Sequence, residues 1–367
     1  MKAIGREKYT ELVEILKKKG LDCVLLMNFG ELIDSNIQYF SNFKQENGLG
    51  NCILILTKNE RILILKKDEN SDEVDVEKLI RVESFSEISN KFKKFKKIGI
   101  NKYKLSVASF HFLKKIFKAR FYDVGYYLKK IRAIKTNKEI TYLKKAANIS
   151  NKIIRLFESE LVQEIKRKKI TEREISIIIE EKIRRHGAEI SFKTLVATGS
   201  RSSQVHTNPT ALNKLAKKIG YVDFGAKFNG YHSDVTIPFV LRGLNSEERK
   251  TVDLLIETYE FALENLKVGM RDSKLFNLVN DFLKKHKIKL MHGLGHGLGL
   301  EIHELPSILN HDNKKFSMKF ENGMVFTIEP GIYKRGFGLR IEDDFYFWKN
   351  KLIPLTKSYL IEDLKRK

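Results

Sequence analysis

Hydrophobic and polar positions follow two different patterns along the chain. In the first part, the short apolar runs LDCVLLMN, NCILILT and RILILKK predict buried strands, and Lys58-Asn59-Glu60 predicts a hairpin between the last two. KIGIN and FYDVG predict two more strands, while helical spacing occurs over 6–19 and 110–118. This alternation predicts an α/β domain over residues 1–130.

The second part is dominated by long amphipathic runs that begin with a shared polar signal. A Thr or Asn followed three positions later by Glu is a capping box, in which the two side chains satisfy free N–H groups at a helix start. The pairs are Thr136/Glu139, Thr171/Glu174 and Asn245/Glu248. Asp272 is expected to cap a fourth helix. Strand-like segments with glycine turns lie between the helices, so residues 131–367 are predicted to be α+β.

Composition excludes several classes of protein. The 367 residues are 42% hydrophobic and 31% charged, which is globular and excludes a disordered or collagen-like chain. No apolar run approaches the roughly 18 residues of a membrane span, and residues 1–20 have the pattern of a charged helix rather than a signal peptide. Cys23 and Cys52 lie in apolar runs, which indicates buried thiols in a reducing compartment. We therefore expect a cytoplasmic protein without a membrane partner.

The net charge of +23 raises the question of a nucleic-acid partner. The most basic stretch is residues 91–120, with eleven Lys or Arg and no Asp or Glu. Its lysines alternate with Phe and Ile, which is typical of the solvated face of packed elements. No zinc-finger, homeodomain or aromatic nucleotide-binding pattern accompanies them, so nucleic acid is not expected as a partner.

Two acids flank a predicted turn in VDFGAKFNGYHSDV. Asn229-Gly230 favours a two-residue type I′ turn, which pairs Asp223 with Thr236 across the hairpin. Asp234 shares the face of Thr236, so Asp223 and Asp234 become diagonal neighbours, roughly 7–8 Å apart at the backbone. Two carboxylates so placed repel each other unless a cation or a proton lies between them.

A second segment repeats this arrangement. A turn at Arg335-Gly336 places Glu329 opposite Glu342, although Pro330-Gly331 offers a place for a bulge that would shift the register. A single acid pair is more often the exposed polar face of a strand. Two hairpins with facing acids, together with a cluster of histidines, favour a functional site instead.

Four histidines complete the candidate site. His292, His296 and His303 lie among glycines in MHGLGHGLGLEIHELP, and His206 lies in SSQVHTNP. Glycine tolerates the close backbone approach that a crowded metal site needs. Four carboxylates and one imidazole, without thiolates, suit a pair of divalent ions such as manganese, cobalt, iron or zinc. Two such ions activate water and polarise a carbonyl, so the pattern predicts metal-assisted hydrolysis.

These motifs resemble those of the pita-bread metallopeptidases, the family of methionine aminopeptidase, aminopeptidase P and prolidase. The matching segments are VDFGAKFNGYHSD, GLGHGLGLEIHE, TIEPGIY and GLRIEDD. YFSNF at 39–43 and RAIKTNKEI at 132–140 resemble the N-terminal domain and linker of the prolidase and aminopeptidase P branch. The resemblance implies an α+β chain with a C-terminal pita-bread fold, preceded by a smaller α/β N-terminal domain.

The resemblance also implies a ligand set for two divalent ions, most typically manganese or cobalt, with zinc or iron as alternatives. The ligands would be Asp223, Asp234, His296, Glu329 and Glu342. Asp223 would bind one ion and His296 the other. Asp234 and Glu342 would bridge both ions, which hold a hydroxide as the nucleophile. Glu329 would bind one ion and assist proton transfer.

Four further residues receive roles from the same resemblance. His206 and His303 would hold the substrate carbonyl and the tetrahedral intermediate. His292 would line the substrate site nearby. Arg340, two positions before a ligand, would restrain a ligand carboxylate, although an ordinary surface cation is an equal alternative.

The activity implied is hydrolysis of the peptide bond before proline. The substrates would be Xaa-Pro dipeptides, as for prolidase, or the N-termini of longer Xaa-Pro peptides, as for aminopeptidase P. A homodimer is usual for the resemblance. Two alternatives stay open: a creatinase-type amidinohydrolase, although such relatives lack the metal ligands, and a catalytically inactive binding module, which the charge of +23 would suit.

Two positions depart from the family pattern. An Arg often follows the Thr after the second Asp, whereas here Thr236 is followed by Ile237-Pro238. A Pro often precedes the first catalytic His, whereas here the residue is Val205. Neither change replaces a ligand, so we expect them to affect the rim of the site and the substrate preference.

Overall fold

The computed structural model describes residues 2–44, 50–71, 73–161, 170–215, 219–241, 243–311 and 316–358. The chain divides into two compact units, Met1–Arg132 and Ala133–Lys367. The predicted boundary between residues 130 and 131 lies two positions before this division. Among the described residues, no helix has both the length and the apolar character needed to cross a membrane.

The first unit is built on a mixed sheet of six strands, which confirms the predicted α/β class. The strands, in the sheet order β4-β3-β2-β1-β5-β6, are β1 (Cys23–Asn28), β2 (Cys52–Leu56), β3 (Arg61–Lys66), β4 (Lys78–Val82), β5 (Lys97–Ile100) and β6 (Arg120–Asp123). The helices are α1 (Tyr9–Lys19), α2 (Ser35–Ser41), α3 (Ile88–Lys91), α4 (Val107–Ile116) and α5 (Gly125–Ala133), with 3₁₀ turns at Ile4–Arg6, Phe85–Glu87 and Lys102–Lys104.

The central strands of this sheet are buried along their whole length, as their unbroken apolar runs predicted. β2 and β3 form the expected antiparallel hairpin, while β5 runs parallel to both β1 and β6. One face of the sheet packs its Leu25 and Ile64 against Ile88 of α3 and Leu113 of α4. Cys23 and Cys52 are buried free thiols, so no disulfide constrains the unit.

In its described residues, the second unit combines four long helices with several small sheets. The helices are α6 (Asn137–Leu156), α7 (Glu172–Arg185), α8 (Ser246–Asn265) and α9 (Asp272–Lys285), with a π-turn at Phe157–Leu161 and a 3₁₀ turn at Gly199–Ser203. The capping boxes predicted at Thr136, Thr171 and Asn245 are all formed.

The predicted cap of α9 is wrong. The helix begins at Asp272 itself, and Arg271 occupies the capping position without a side-chain hydrogen bond. The carboxylate of Asp272 accepts from Ser273 N at 2.6 Å, from Ser317 Oγ at 2.5 Å and from Met318 N at 3.1 Å. A distant segment therefore shares the acceptor that the local pattern assigned to the helix start alone.

The strands of the second unit form three short sheets and one of five strands. The strands are β7 (Glu189–Ile190), β8 (Leu195–Thr198), β9 (Ile219–Phe224), β10 (Ala226–Phe228), β11 (Tyr231–His232), β12 (Val235–Val240), β13 (Gly295–Gly297), β14 (Glu304–Ile308), β15 (Val325–Ile328), β16 (Gly331–Lys334), β17 (Phe337–Arg340), β18 (Asp343–Trp348) and β19 (Lys351–Pro354). The sheets are β11-β10-β7, β12-β9-β8, β14-β13-β15-β18-β19 and β16-β17. Apolar faces of α6 and α7 pack on β9 and β12, for example Ile153 and Ile179 against Val222 and Ile237.

Candidate metal centre

The first acid pair is positioned by the hairpin that runs from β9 to β12. Its turn has left-handed backbone at Asn229 (φ 55°) and Gly230 (φ 88°), as the predicted type I′ turn requires. Asp223 lies opposite Thr236, which is the predicted register. Asp223 and Asp234 are both buried, with 7% and 6% of their surface exposed. The hairpin therefore holds two carboxylates away from bulk water.

The second acid pair lies within another long hairpin. One register runs through the pairing of β15 with β18 and of β16 with β17, without a shift at Pro330-Gly331. Glu329 and Glu342 occupy the opposed positions between these two paired stretches, as predicted from the turn at 335–336. The backbone N–H of Glu329 does not bond within this hairpin but donates to Leu294 O, just before β13, at 2.9 Å.

Thr236 and Glu342 join the two hairpins. The N–H of Glu342 donates to Thr236 O at 3.1 Å, and the N–H of Thr236 donates to Glu342 O at 3.3 Å. The Thr236 hydroxyl also donates to Glu342 Oε2 at 2.7 Å. These three bonds connect residues 106 positions apart in the sequence, and they fix the second acid pair beside the first.

The glycine-rich segment delivers His296. A Cβ on Gly295 would lie 2.0 Å from Thr327 O, and a Cβ on Gly297 would lie 2.1 Å from Leu305 O. Both distances are far shorter than any real contact, so only glycine allows β13 to pass between β14 and β15 at this spacing. A bulge between His296 and Gly297 directs the imidazole out of the sheet.

The side chains of all five predicted ligands line one cavity of about 530 Å³. Within it, Asp234, His296 and Glu342 each offer a donor atom, and these atoms lie within 4.8 Å of one another. His296 Nε2 is 3.6 Å from Asp234 Oδ2 and 3.6 Å from Glu329 Oε1. Asp223 lines the same cavity. The geometry agrees with the predicted ligand set, whose metal-binding role stays a prediction.

The carboxylates of the cavity repel one another. Burial, together with the neighbouring acids, raises the pKa of Asp234 and of Glu342 well above the ordinary range. Burial also raises the pKa of Glu329 to about 8. Burial raises the pKa of Asp223 as well, although the Arg340 guanidinium opposes this shift. The cluster cannot ionise fully unless cations neutralise it.

Two buried carboxylate oxygens indicate whether the cavity is suited to metal ions. Asp223 Oδ1 and Asp234 Oδ1 are buried and have no hydrogen-bond partner among the described residues. Buried polar atoms are almost always satisfied, so an unsatisfied pair in an acidic cavity points to missing positive charge. Carboxylate oxygens with one imidazole nitrogen are suitable donors for divalent transition metals. The residues present therefore fit the predicted ions.

His296 is held in the form that can bind a metal. Burial, together with the nearby His303, lowers its pKa to about 3, so the ring is neutral at physiological pH. Nδ1 lies 3.2 Å from Gly297 O, which assigns the proton to Nδ1 as the donor. The lone pair is then on Nε2, the nitrogen that faces Asp234 and Glu329.

Arg340 connects the wall of the cavity to one acid. Its Nη2 donates to Asp223 Oδ2, which is the contact expected of a residue that restrains a ligand carboxylate. Its Nε donates to Thr236 Oγ1 at 3.0 Å, and its Nη1 donates to Tyr333 OH at 3.0 Å and Val205 O at 3.2 Å. Arg340 is buried, so the surface-cation alternative is wrong.

The other three histidines of the sequence prediction line the same cavity. The rings of His303 and His296 have centroids 4.3 Å apart. His292 Nε2 lies 3.0 Å from Tyr333 OH, and its Nδ1 lies 3.6 Å from Glu329 Oε2. His206 and His303 are exposed, whereas burial lowers the pKa of His292 to about 4. Two histidines are therefore open to a substrate and one supports the wall.

Sequence reasoning missed three residues that organise the centre. Thr236 was predicted only as a register partner, although its position opposite Asp223 places it on the same face. Tyr333 has no local signal, since its partners Arg340 and His292 come from other segments. Asp344 was quoted only within GLRIEDD, yet both of its carboxylate oxygens accept from Asp234 N at 3.2 Å.

The two departures from the family pattern lie in different places. Ile237 is fully buried in the core beneath the hairpin and does not line the cavity. Val205 does line it, together with an apolar wall formed by Phe192, Leu195, Ile302 and Leu309. The expectation that both departures affect the rim of the site is therefore wrong for Ile237-Pro238.

Two family profiles match the chain. The profile of metallopeptidase family M24 matches residues 141–347, and that of the creatinase/prolidase N-terminal domain matches residues 9–134. The Xaa-Pro dipeptidase of Pyrococcus furiosus is 30% identical over 360 residues, which cover 96% of this chain and 98% of the relative. An uncharacterised peptidase of Methanocaldococcus jannaschii is 31% identical over 352 residues, which cover 91% and 98%.

Solved structures agree with these sequence matches. The prolidase from Pyrococcus horikoshii OT3 has a TM-score of 0.86 at 26% identity, covering 96% of this chain and 98% of its own. The X-Pro aminopeptidase from Thermotoga maritima has a TM-score of 0.82 at 28% identity, covering 95% and 97%. They confirm the predicted pita-bread fold after a smaller N-terminal domain. The chain therefore belongs to metallopeptidase family M24 and is a metallopeptidase.

Proposed function

We propose that the protein hydrolyses the peptide bond that precedes proline, with two divalent ions held in the candidate metal centre. The single observation that carries the proposal is the convergence of five donor side chains on one acidic cavity with unsatisfied buried carboxylate oxygens. The names of the relatives support the substrate, since they include an Xaa-Pro dipeptidase and an X-Pro aminopeptidase.

The five side chains divide between the two ions according to their positions. Asp223 would bind one ion and His296 the other, while Asp234 and Glu342 would bind both. This assignment is supported by the pKa values of Asp234 and Glu342, which burial and neighbouring acids raise well above the ordinary range. Manganese or cobalt suits this oxygen-rich set, with zinc or iron as alternatives.

The residues of the chain then place the substrate and move protons. Ions bound here would supply an activated water and polarise the substrate carbonyl. Glu329 has the most exposed carboxylate of the four acids, with 16% of its side chain open to the cavity. This exposure supports a role in which Glu329 accepts a proton from the attacking water and returns it to the leaving proline nitrogen.

The two exposed histidines bind the substrate carbonyl. His206 and His303 present exposed rings to the cavity, and they donate hydrogen bonds to the carbonyl oxygen as it gains negative charge. His292 stays behind them, bonded to Tyr333. The apolar wall next to these groups suits an uncharged side chain on the residue before proline.

Metal removal and replacement tests this function. Protein stripped with a chelator should be inactive, and manganese or cobalt added separately should restore cleavage of Gly-Pro or of Gly-Pro-Gly, while the control peptide Gly-Ala stays intact. Metal analysis should find about two ions per chain. Failure of all four candidate ions to support cleavage of either proline peptide would reject the proposal. Creatine as a further substrate tests the amidinohydrolase alternative, and two bound ions without any turnover would favour the binding module.

The preferred length of substrate follows from the same assay. Cleavage of Gly-Pro alone would assign prolidase activity, and cleavage of Gly-Pro-Gly would assign aminopeptidase P activity. We expect a homodimer, in which the N-terminal domain of a partner subunit would limit the access of longer peptides. Light scattering on the purified protein measures this assembly, and a monomer that rejects the tripeptide would contradict the explanation.

A further inference from the structure

We propose that Glu172 is a positioning residue, which holds the loop of residues 199–213 so that His206 faces the metal centre. This inference rests on the proposed function, because it assigns His206 to the substrate carbonyl. Glu172 is the first residue of α7 and is fully buried. A glutamate at the first position of a helix is usually exposed and interacts only with the helix dipole, so its burial here requires another explanation.

The carboxylate of Glu172 accepts hydrogen bonds from both ends of this loop. The donors are Thr198 N at 3.0 Å, Thr198 Oγ1 at 2.8 Å and Asn213 Nδ2 at 2.6 Å on Oε1, and Arg201 Nε at 3.1 Å and Thr210 N at 3.2 Å on Oε2. Thr198 and Arg201 lie where the loop begins, and Thr210 and Asn213 lie where it ends. One buried side chain therefore closes the loop.

Backbone hydrogen bonds also attach the end of this loop to the start of α7. The N–H of Glu172 donates to Asn213 O at 3.0 Å, and the N–H of Arg173 donates to Thr210 O at 3.3 Å. Arg201 also donates through Nη2 to Asn208 O at 2.5 Å, inside the loop. We call this set of contacts the Glu172 clasp. Holding both ends at one point reduces the conformational freedom of the segment between them.

His206 lies between the two clasped ends. Tyr221 OH donates to Gln204 O at 2.7 Å and to Val205 O at 3.0 Å, and Arg340 Nη1 donates to Val205 O at 3.2 Å. These bonds hold the backbone just before His206, whereas no hydrogen bond in the described part of the chain holds the imidazole itself. The direction of the ring therefore depends on the backbone on both sides, and the Glu172 clasp fixes the side that follows.

Glu172→Gln is the informative substitution, because all five partners of the carboxylate are donors. The amide keeps the size of the side chain but has only one oxygen. If its NH₂ group replaces Oε2, the N–H donors of Arg201 and Thr210 face another donor and lose their acceptor. The matched control is Glu174→Gln, on the same helix, whose amide oxygen can still accept the two capping-box bonds from Thr171 and whose side chain makes no hydrogen bond to the described residues of the loop.

The experiment combines hydrogen exchange with a double-mutant cycle. In Glu172→Gln, amide exchange over residues 199–213 should increase about tenfold or more, and kcat for the proline peptide should fall about 10- to 100-fold, since small displacements of a positioned group are costly. Metal content should stay unchanged. In a His206→Ala background the same substitution should change kcat by less than about twofold. Glu174→Gln should leave both the exchange of this loop and kcat as in the unaltered protein.

Each outcome decides the proposal. Unchanged exchange over 199–213 would reject the clasp, and additive losses with His206→Ala would show that Glu172 acts on stability rather than through His206. If Glu172→Gln does not fold, Arg201→Met removes two clasp contacts, to Glu172 and to Asn208 O, from a partly exposed side chain and should show the same pattern with a smaller, severalfold effect. An inactive unaltered protein would reject the proposed function and the role of His206 in it, while the exchange measurement would still decide whether Glu172 closes the loop.

Discussion

The acidic side chains of the metal centre carry more negative charge than the cationic side chains beside them balance. Four carboxylates line one cavity, and Arg340 pairs with only one of them. Burial makes each unpaired charge costly. Burial and the neighbouring acids raise the pKa values of these carboxyl groups, so protonation is favoured wherever no cation is bound.

Replacing one of the two acids that we propose to bridge the ions should abolish hydrolysis but raise the stability of the metal-free protein. In Asp234→Asn we expect no detectable hydrolysis, less bound metal, and a metal-free protein that melts about 2–4 °C higher, since relief of about 1 kcal/mol of repulsion has this effect in a domain of this size. Scanning calorimetry with a chelator measures the shift.

The matched control is Asp272→Asn, a buried acid whose bonds to Ser317 and Met318 are satisfied. It should lower stability and leave metal content intact. An Asp234→Asn protein that retains two ions and full turnover would contradict the bridging assignment.

Replacing His303 should greatly reduce turnover without loss of metal. Its ring is exposed to the cavity, and it belongs to the substrate side of the proposed site. We expect His303→Ala to lose turnover by about 100-fold or more while its metal content stays unchanged. Metal analysis and peptide hydrolysis on one preparation measure both, with the exposed His286 as a control for substitution. Loss of metal in His303→Ala would show that this histidine acts on the ions instead.

The metal-free protein should lose stability between pH 6.5 and 8. Burial raises the pKa of Glu329 to about 8 from an ordinary 4.5, so the folded chain holds a proton that the unfolded chain has released, and stability falls as the pH rises. His292 and His296, with pKa values lowered to about 4 and about 3, oppose this trend only below their ordinary value of 6.5.

Thermal unfolding in a chelator across this range measures the trend. Protein saturated with manganese should show little of it, because cations keep the carboxylates ionised at every pH in the window. A melting temperature that rises with pH in the chelator would contradict the explanation.

At the scale of elements, the contact between two hairpins decides the geometry. The Thr236 hydroxyl donates to Glu342 and accepts from Arg340, while the backbone bonds around it already hold the hairpins together. Thr236→Val should therefore fold, but weaken metal binding about 10- to 100-fold, as removal of a group that orients a ligand usually does.

Calorimetric titration with manganese measures this change in affinity. Thr258→Val is the control, since Thr258 is equally buried and its hydroxyl bonds only to Leu254 O within α8. Equal effects of the two substitutions would mean that the loss comes from packing, and not from the orientation of Glu342.

Elements were predictable where their signals are local. The capping box at Thr136 and the turn at Asn229-Gly230 depend on residues within a few positions, and both are present. The predicted cap at Asp272 is wrong by one position, because the helix begins at Asp272, and a segment some 45 positions later shares its carboxylate with Ser273. The pairing of Thr236 with Glu342 had no sequence signal, since a contact of that separation is set by tertiary packing. The acids themselves were predictable because strand alternation placed them on one face.

At the scale of the whole molecule, the charge of +23 should affect stability more than partner choice. Like charges repel most strongly in the compact state. Raising a monovalent salt from about 0.01 M to about 0.1 M shortens the screening length from about 30 Å to about 10 Å. We expect the metal-free protein to melt a few degrees higher in the saltier buffer.

Calorimetry in sodium and in potassium chloride measures this effect, and the two salts should agree because screening does not depend on the cation. A melting temperature that falls with salt would show that favourable ion pairs outweigh the repulsion.

The connection between Thr236 and Glu342 also has a consequence for how the protein matures in the cell. Residues at positions 223, 234, 296, 329 and 342 are synthesised in that order, so the growing chain cannot assemble the complete donor set until Glu342 has left the ribosome. If the proposed donor set is right, capture of both ions by the full site would come only after translation of nearly the entire second unit.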